Sequence, residues 1–246
     1  MPANAFFSHQ TAAQLLGIPL PARRELALPL HVSVVDPARA PDARDIVGHR
    51  LTIEPAEIIL WRGLPITGPA RTWMDLAAVL DLADLVAAGD YLLSRRHPLT
   101  TLTALTDALA HYPGRRGLVT ARRALPLLRD GAESRRESLL RVVIVEAGLP
   151  EPECNATIYD AHGLFLARGD LVYREYRSLL EYQGDYHRTD RGQWRRDIRR
   201  LGTLEDNDWL MQQFTDDDLA APVELVNRIE RRLRARGWSG QRMPRG

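Results

Sequence analysis

Apolar and polar residues alternate with two different periods along this chain, and both kinds of element recur. Two short stretches, HVSVV (31–35) and IVGHRLTI (46–53), alternate with period 2 and predict strands that form a small hairpin or sheet. Most other segments before residue 131 have the apolar spacing of amphipathic helices. The pattern predicts an α+β or α/β protein whose N-terminal domain is mostly helical with a small sheet.

The predicted N-terminal helices are bounded by residues that start or stop helices. Ser8 is a candidate N-cap, Gly17 and Pro19 end the first helix, and Pro69 lies in the first turn of the second. The helices are predicted at residues 6–20, 67–80, 81–96, 100–112 and 118–130.

Four polar residues in this region are interpreted as structural. Arg71 and Asp75 are spaced i,i+4 and predict a pair on a helix surface, while Ser8 and His9 lie where a helix is capped. We find no metal-ligand or nucleophile spacing among them.

A second domain is predicted to begin at residue 131. Ser134 and Glu137 match a capping box that opens a helix, and Gly148 and Pro150 stop it. A helix at about 190–205, a strand at 207–215 and a helix at about 221–236 follow the segment described next. The predicted domains are 1–130 and 131–236, with a disordered tail at 237–246.

The segment from Gly163 to His187 reads as a β-hairpin with its turn at residues 174–176. A turn centred between residues 175 and 176 pairs 171 with 180 and 172 with 179, so Asp170 faces Glu181. The Cβ atoms of cross-strand partners lie roughly 4.5–5.5 Å apart, so two carboxylates there repel each other without a cation. Period 2 places Gln183 on the same face. Such an edge suits Mg²⁺ (or Mn²⁺), which binds one or two carboxylates and keeps several waters.

Arginines recur at i+3 and i+4 after the hairpin and form one helical stripe. A solvated face is the ordinary explanation, whereas a position close to the two acids favours contacts with DNA phosphates, to which Arg offers bidentate donors. The stripe consists of Arg188, Arg191, Arg195 and Arg199.

Composition limits the remaining possibilities. The 246 residues carry a net charge of +1, and all 33 basic residues are Arg, so any nucleic-acid footprint must be local and no lysine can serve as a catalytic residue. Cys154 is the single cysteine, which excludes an intramolecular disulfide and a Cys-based zinc site. We see neither a signal peptide nor an apolar run of the ~18 residues that a membrane span needs, and expect a cytoplasmic protein.

Roughly residues 133–233 resemble the very-short-patch-repair-like branch of the PD-(D/E)xK nuclease superfamily. The resemblance implies a PD-(D/E)xK-like central sheet flanked by helices, with Asp170 and Glu181 as metal ligands and Glu137, on the first helix, as a third. Glu137 has an equally favoured structural role in the capping box. The motif E-Y-Q-G-x-x-H, D-x-x-R-x-x-x-L and a following Trp corresponds to Glu181, Gln183, Gly184, His187, Asp197, Arg200, Leu204 and Trp209.

The region before residue 131 resembles the body of AbiEi-family antitoxins of type IV toxin–antitoxin systems. The motifs are FSHxTAAxLLGxP from Phe6, HVSV from His31, and GxPxTxPxRTxxDLA from Gly63. Such proteins often carry an N-terminal winged helix, which would lie upstream of Phe6 and which this sequence lacks. The resemblance implies a cognate toxin protein as a partner.

Two functions follow as expectations. The first is a metal-dependent DNA endonuclease in defence or repair, in which Gln183 takes the place of the superfamily's Lys. His187 then acts as an acid or as a hydrogen-bond donor to the phosphate, although the ordinary role of a loop histidine is a surface hydrogen bond. Gln183 is neutral, and Asp208 and Gln213 replace the family's usual Gly and Arg, which predicts a slow or inactive enzyme. The second is a non-catalytic antitoxin or nucleic-acid-binding protein that keeps the nuclease fold as a scaffold.

Overall fold

The computed structural model describes residues 4–25, 28–183 and 191–243. The chain divides into two compact units, Met1–Asp130 and Gly131–Gly246, and the division lies where the sequence predicts a domain boundary. Each unit combines helices with one β-sheet, which confirms the predicted α+β class. None of the helices within the described ranges is both long and apolar enough to cross a membrane.

The N-terminal unit is a five-stranded sheet with helices packed against it. In chain order its elements are β1 (Ala5–Phe7), α1 (His9–Leu16), α2 (Ala22–Glu25), β2 (Leu30–Val35), β3 (Ile46–Leu51), β4 (Ile58–Trp61), β5 (Leu64–Thr67), α3 (Pro69–Leu76), α4 (Leu82–Leu93), α5 (Leu102–His111) and α6 (Leu118–Ala124). The strand order in the sheet is β3-β2-β1-β5-β4.

The two strands predicted from alternation are adjacent but run parallel. His31 lies beside Val47 and Ser33 beside His49, so the hairpin alternative is wrong and the small-sheet alternative is right. Residues 36–45 carry the chain back to the edge from which β2 starts. In this register His49 lies beside Ser33, which is two residues after His31 and on the same face of the sheet.

Three strands of the N-terminal unit were not predicted, and the first of them changes the start of the chain. Residues 5–7 form β1, which pairs antiparallel with β2 and parallel with β5, and the helix predicted from residue 6 begins only at His9. Three residues are too few to show a period, so only pairing across the sheet defines this strand. Ser8 occupies the N-cap position without capping an amide, because its hydroxyl bonds to Ser33 and His9.

The C-terminal unit is a four-stranded sheet between two layers of helices. Its elements are α7 (Arg135–Glu146), β6 (Glu153–Tyr159), β7 (Phe165–Tyr173), β8 (Ser178–Tyr182), α8 (Arg191–Asp206), β9 (Leu210–Phe214), α9 (Asp216–Ala220) and α10 (Pro222–Ala235). The order is β6-β7-β8-β9; the first three strands are antiparallel, and β9 joins parallel to β8 after the crossover through α8.

Alternating residues of β7 and β8 contribute to two different cores. Leu171 and Leu180 pack with α7 and α10 on one face of the sheet, in a cluster that includes Leu140 and Ile229. Val172 and Leu179 point to the other face, and pack in a cluster that contains Leu204 of α8. This arrangement confirms the predicted alternation and puts positions 170 and 181 on the α8 side of the sheet.

The prediction of a disordered tail from Gly237 is wrong for residues 237–243. Trp238 is only 8% exposed and belongs to the core beneath α7 and α10, with the Arg234 guanidinium 4.7 Å from its ring centroid. Arg242 hydrogen-bonds Asn227 and Glu230, and the Met243 amide donates to the Gly148 carbonyl at 3.2 Å. One buried aromatic side chain outweighs the polar, glycine-containing composition that suggested disorder.

Removing the Trp238 side chain tests this packing. We expect Trp238→Ala to lower the free energy of unfolding of the C-terminal unit by about 3 kcal/mol, the usual cost of deleting a buried tryptophan. The measurement is urea unfolding followed by circular dichroism. Met243→Ala is the control, because Met243 is 79% exposed and its loss should change stability by less than about 0.5 kcal/mol. Equal midpoints for the two variants would mean that the tail does not pack.

Candidate metal and nucleic-acid site

The hairpin of β7 and β8 brings Asp170 and Glu181 to one place. The observed register pairs Leu171 with Leu180 and Val172 with Leu179, as predicted, so the two acids occupy the next facing positions. The Tyr182 amide donates to Oδ2 of Asp170 at 2.9 Å. Glu181 is buried at 6% exposure, and Asp170 is half-buried. The predicted juxtaposition of these two carboxylates is confirmed.

Glu137 approaches the same carboxylates from the first turn of α7. The Ser134 hydroxyl accepts a hydrogen bond from the Glu137 amide at 3.2 Å, so the predicted cap is present. The carboxylate of Glu137, however, accepts from the amide of Glu133 at 2.9 Å and from the side-chain amide of Asn155. A capping box would require this carboxylate to accept from the Ser134 amide. It is held instead by the Glu133 amide and by Asn155 of β6.

Asn155 is a supporting residue that the sequence did not indicate. Its side-chain nitrogen donates both to Glu137 and to the Gly131 carbonyl at 3.0 Å, and its backbone has a left-handed φ of 48°. Asn tolerates this conformation better than most residues. The turn in the backbone of β6 aims the amide at the start of α7 and fixes the orientation of the Glu137 carboxylate.

The three carboxylates form one negatively charged site. Burial, followed by the charges of Glu137 and Glu181, raises the pKa of Asp170 to about 6, although the Tyr182 amide and the Arg200 guanidinium act in the opposite direction. A carboxyl crowded by two others holds its proton more tightly because its ionisation adds a third negative charge. A divalent cation would relieve this crowding.

Arg200 supplies the positive charge that the site contains in this structure. Its Nη1 donates to Oε2 of Glu181 at 3.0 Å, its Nη2 donates to Oε1, and Nη2 also reaches the Arg168 carbonyl at 2.7 Å. Arg200 belongs to the D-x-x-R motif, but its role as the partner of Glu181 was not predicted. The sequence did contain a signal for this contact. Arg200 lies three positions after Asp197 in the motif, on the helix that directly follows β8.

Gln183 lies one residue beyond the end of β8. Its amide donates to the Phe214 carbonyl at 2.7 Å, and its side chain is half-exposed near the end of the strand that carries Glu181. An amide in this position can donate a hydrogen bond to a phosphate oxygen. It cannot supply the charge of a lysine.

The arginine stripe is described only in part. Residues 191–206 form α8, so Arg191, Arg195 and Arg199 recur on one face of a helix, and the Arg199 side chain is exposed. The side chains of Arg191 and Arg195 are not described, and His187 and Arg188 lie outside the described residues. The contact of this stripe with phosphate stays a prediction.

The three carboxylates are chemically suited to bind a hard divalent cation. Their oxygens are the ligands that Mg²⁺ and Mn²⁺ prefer, and the crowding of Asp170 favours a positive charge. The present geometry is not that of a closed metal shell, since Glu181 is engaged by Arg200 through both oxygens. A cation that binds Glu181 therefore competes with Arg200 for its oxygens.

A second cluster of ligating side chains lies in the N-terminal unit, where the sequence indicated none. Within the described ranges, one group of three ligand side chains has all its donor atoms within 4.8 Å of one another, and it consists of His9, His31 and His49. His31 Nδ1 lies 3.0 Å from His49 Nε2, and the ring centroids of His9 and His49 are 4.0 Å apart. The three residues come from α1, β2 and β3, so no local spacing revealed them.

The interpretation of Arg71 and Asp75 as a helix-surface pair is also wrong. They do pair, with Arg71 Nε 2.9 Å from Asp75 Oδ1, but they are 4% and 0% exposed and lie beside the histidine cluster. Burial raises the pKa of Asp75, and the neighbouring Arg71 opposes that shift. Tyr112 donates to the same Oδ1 at 3.3 Å. Apolar residues around α3 bury this pair. The i,i+4 spacing shows only that the two residues share a helix face, so it could not predict their burial.

Comparisons with known proteins leave the family open. No protein-family model matches the chain, and no solved structure matches it. Two proteins of Mycobacterium tuberculosis are similar: Uncharacterized protein MT2308 of strain CDC 1551 / Oshkosh and Uncharacterized protein Rv2248 of strain H37Rv. Each is 33% identical over 168 residues, which is 68% of this chain and 61% of the relative, so the chain spans less than two thirds of the length of these relatives.

The crowding at Asp170 predicts a gain in stability when its charge is removed. Because the pKa in the folded protein lies above the ordinary 3.8, this carboxyl favours folding fully below pH 3.8 and loses that contribution as the pH rises through about 6. We expect Asp170→Asn to raise the thermal unfolding midpoint at pH 7.5, and the gain to shrink below pH 6.

The control is Asp206→Asn, an exposed aspartate of the same unit, which should show no such pH-dependent gain. Thermal unfolding of both variants between pH 4 and pH 8, without divalent cations, measures the difference. Destabilisation by Asp170→Asn at pH 7.5 would contradict the idea that these carboxylates repel one another.

Proposed function

We propose that the C-terminal unit is a metal-dependent DNA endonuclease that hydrolyses phosphodiester bonds. The observation that carries the proposal is that β7, β8 and the first turn of α7 bring Asp170, Glu181 and Glu137 together, where burial and the charges of the two glutamates raise the pKa of Asp170. Carboxyls brought together from separate elements, one of them with a perturbed pKa, favour a functional site over a solvated surface. The order of a helix with Glu137, a hairpin with Asp170 and Glu181, and a following helix is also the one that the nuclease resemblance implies.

Asp170, Glu181 and Glu137 are the residues that would hold Mg²⁺ or Mn²⁺. When bound, such a metal lowers the pKa of a coordinated water and offsets negative charge on the scissile phosphate. Asn155 and the Glu133 amide hold the Glu137 carboxylate in one orientation, which suits it to position the attacking water. Gln183 would donate a hydrogen bond to the phosphate.

Arg200 takes a second role in this proposal. In the absence of a cation it neutralises Glu181, and once displaced its guanidinium stays beside the site and can bind a phosphate oxygen. Arg199, exposed on the same helix, and the stripe to which it belongs would anchor the DNA backbone. We further infer that the chain works in a defence or repair context in the cytoplasm, which the resemblance implies.

A non-catalytic role is the second candidate, and one contact favours it. The Arg200 guanidinium satisfies both oxygens of Glu181, so the site is already neutralised without a metal. If that pair is permanent, the fold serves as a scaffold for binding nucleic acid or, as the antitoxin resemblance implies, a cognate toxin. Co-expression with a neighbouring nucleotidyltransferase-like toxin distinguishes this role, since an antitoxin restores growth and a nuclease does not.

Cleavage of supercoiled plasmid tests the proposed enzyme. We expect the full chain to nick plasmid with Mg²⁺ or Mn²⁺ and not with a chelator. Asp170→Asn and Glu181→Gln should lower the rate by at least about 100-fold, the upper end of what the loss of even an outer-shell partner costs. Glu224→Gln, which removes an exposed carboxylate of α10, should cleave as the parent does. Equal background nicking by all four proteins would remove the nuclease proposal and favour the scaffold.

Competition between Arg200 and the cation makes a separate prediction. Arg200→Gln should bind Mn²⁺ roughly tenfold more tightly or better, because a hydrogen bond to a charged group contributes about 1.5–3 kcal/mol and the variant no longer has to break it. Titration calorimetry measures the affinity. Arg232→Gln removes an exposed arginine of α10 and should leave the affinity unchanged. Weaker binding by Arg200→Gln would contradict the competition.

A further inference from the structure

The chemistry of the N-terminal histidine cluster differs from that of the carboxylate site. Imidazole nitrogens are the ligands of Zn²⁺ and other borderline transition metals, whereas Mg²⁺ prefers oxygen. His9, His31 and His49 each offer one nitrogen, and these nitrogens lie within 4.8 Å of one another. Two nitrogens bound to a tetrahedral Zn²⁺ at about 2.05 Å are about 3.3 Å apart. His31 Nδ1 and His49 Nε2 share a hydrogen bond at 3.0 Å in this structure, and an ion that replaced its proton would need nearly the same separation.

The parallel register of β2 and β3 explains why two of these histidines meet. Ser33 pairs with His49, and His31 lies two residues before Ser33 on the same strand, so both rings stand on one face of the sheet. His9 reaches them from the first residue of α1, where its backbone has a φ of 48°. A histidine in the left-handed region costs conformational energy, and such strain concentrates at functional positions.

The protonation state of the three histidines allows them to bind a metal. Burial, and then the charges of neighbouring groups, lowers the pKa of His9 and of His49 to about 4, and burial also lowers the pKa of His31. All three rings are therefore neutral at pH 7, which is the form that binds a metal. Each ring is partly exposed, and the His9 side chain keeps 17% of its surface in solvent, so an ion can enter.

Asp75 provides an independent indication. Its Oδ1 accepts from Arg71 and Tyr112, but among the described residues its Oδ2 accepts no hydrogen bond, although Asp75 is completely buried. This oxygen lies 4.0 Å from His9 Nδ1. A buried carboxylate oxygen without a donor is costly. Ligating histidines commonly donate their second nitrogen to such a carboxylate, which fixes the ring.

A serine-type nucleophile explains the same residues less well. Ser8 Oγ lies 2.8 Å from His9 Nδ1, and Asp75 approaches that same nitrogen. A catalytic serine and aspartate contact opposite nitrogens of the histidine, so that one ring passes the proton between them. Ser8 is also completely buried and bonded to Ser33. A substrate therefore cannot reach its hydroxyl.

We propose that His9, His31 and His49 form a Zn²⁺ site, in which His9 Nδ1 faces the Ser8 hydroxyl and the buried Asp75 carboxylate behind it. The rings of His9 and His49 are now nearly parallel, at 15° to each other, and they turn about their side-chain torsions to converge on the ion. His9 would then offer Nε2 to the metal. The ion ties the start of α1 to β2 and β3.

Metal titration of the full chain tests the site. With excess Mg²⁺ present, we expect one equivalent of Zn²⁺ to bind, measured against a chromophoric chelator, and Co²⁺ to give the visible absorption of a tetrahedral or five-coordinate nitrogen site. His49→Gln and His31→Gln should each weaken Zn²⁺ binding by about 100-fold or more, since even outer-shell changes cost 10–100-fold. His111→Gln, an exposed histidine of the same unit, should bind as the parent does.

Two comparisons make the outcome decisive. Asp170→Asn should bind Zn²⁺ as tightly as the parent, because its carboxylate belongs to the other unit, so failure of the nuclease proposal leaves this result unchanged. Circular dichroism establishes that each histidine variant is folded. Unchanged Zn²⁺ affinity in a folded variant would overturn the proposal, and if neither variant folds, the absence of a one-equivalent Co²⁺ spectrum in the parent would overturn it equally.

Discussion

Repulsion among buried carboxylates is the constraint on which the C-terminal unit depends. Folding the hairpin of β7 and β8 places Asp170 beside Glu181, and the start of α7 brings Glu137 to both, which no stable core would tolerate without compensation. The chain compensates in two ways: Asp170 holds its proton more tightly, and Arg200 donates to Glu181 through two nitrogens. Folding therefore assembles a site that already has the charge distribution of a cation-binding pocket, with an arginine in the place of the cation.

The hairpin could be predicted from the sequence because its information is local. Alternation along two adjacent strands and the position of one turn determine which residues face each other, so the pairing of Leu171 with Leu180 followed directly. Arg200 and Asn155 depend instead on how α8 and β6 lie against that hairpin, and those contacts come from packing. The buried Trp238 was missed for a similar reason: one aromatic in a polar segment has no period, and its burial depends on a groove formed by distant helices.

The histidine cluster shows the same limit more clearly. Its members are at positions 9, 31 and 49, on a helix and two strands, and they meet only because residues 36–45 return the chain so that β3 runs parallel to β2. Adjacent strands linked by a short loop are usually antiparallel, and a hairpin would have placed His31 and His49 in a different register. Chemistry-bearing residues that are distributed over a sheet are thus visible only after its strand order is known.

Arg200 supplies a fixed positive charge beside the carboxylates of a chain that contains no lysine. The resemblance places a lysine where this chain has a neutral amide, and the sequence contains no lysine to replace it. An arginine on α8 stands beside the same carboxylates and carries a charge that persists at every physiological pH. Its planar donors suit either a carboxylate or a phosphate, with two parallel hydrogen bonds. In the proposed nuclease the positive charge would come from the helix and not from the strand, and a cation on Glu181 would free it to bind a phosphate.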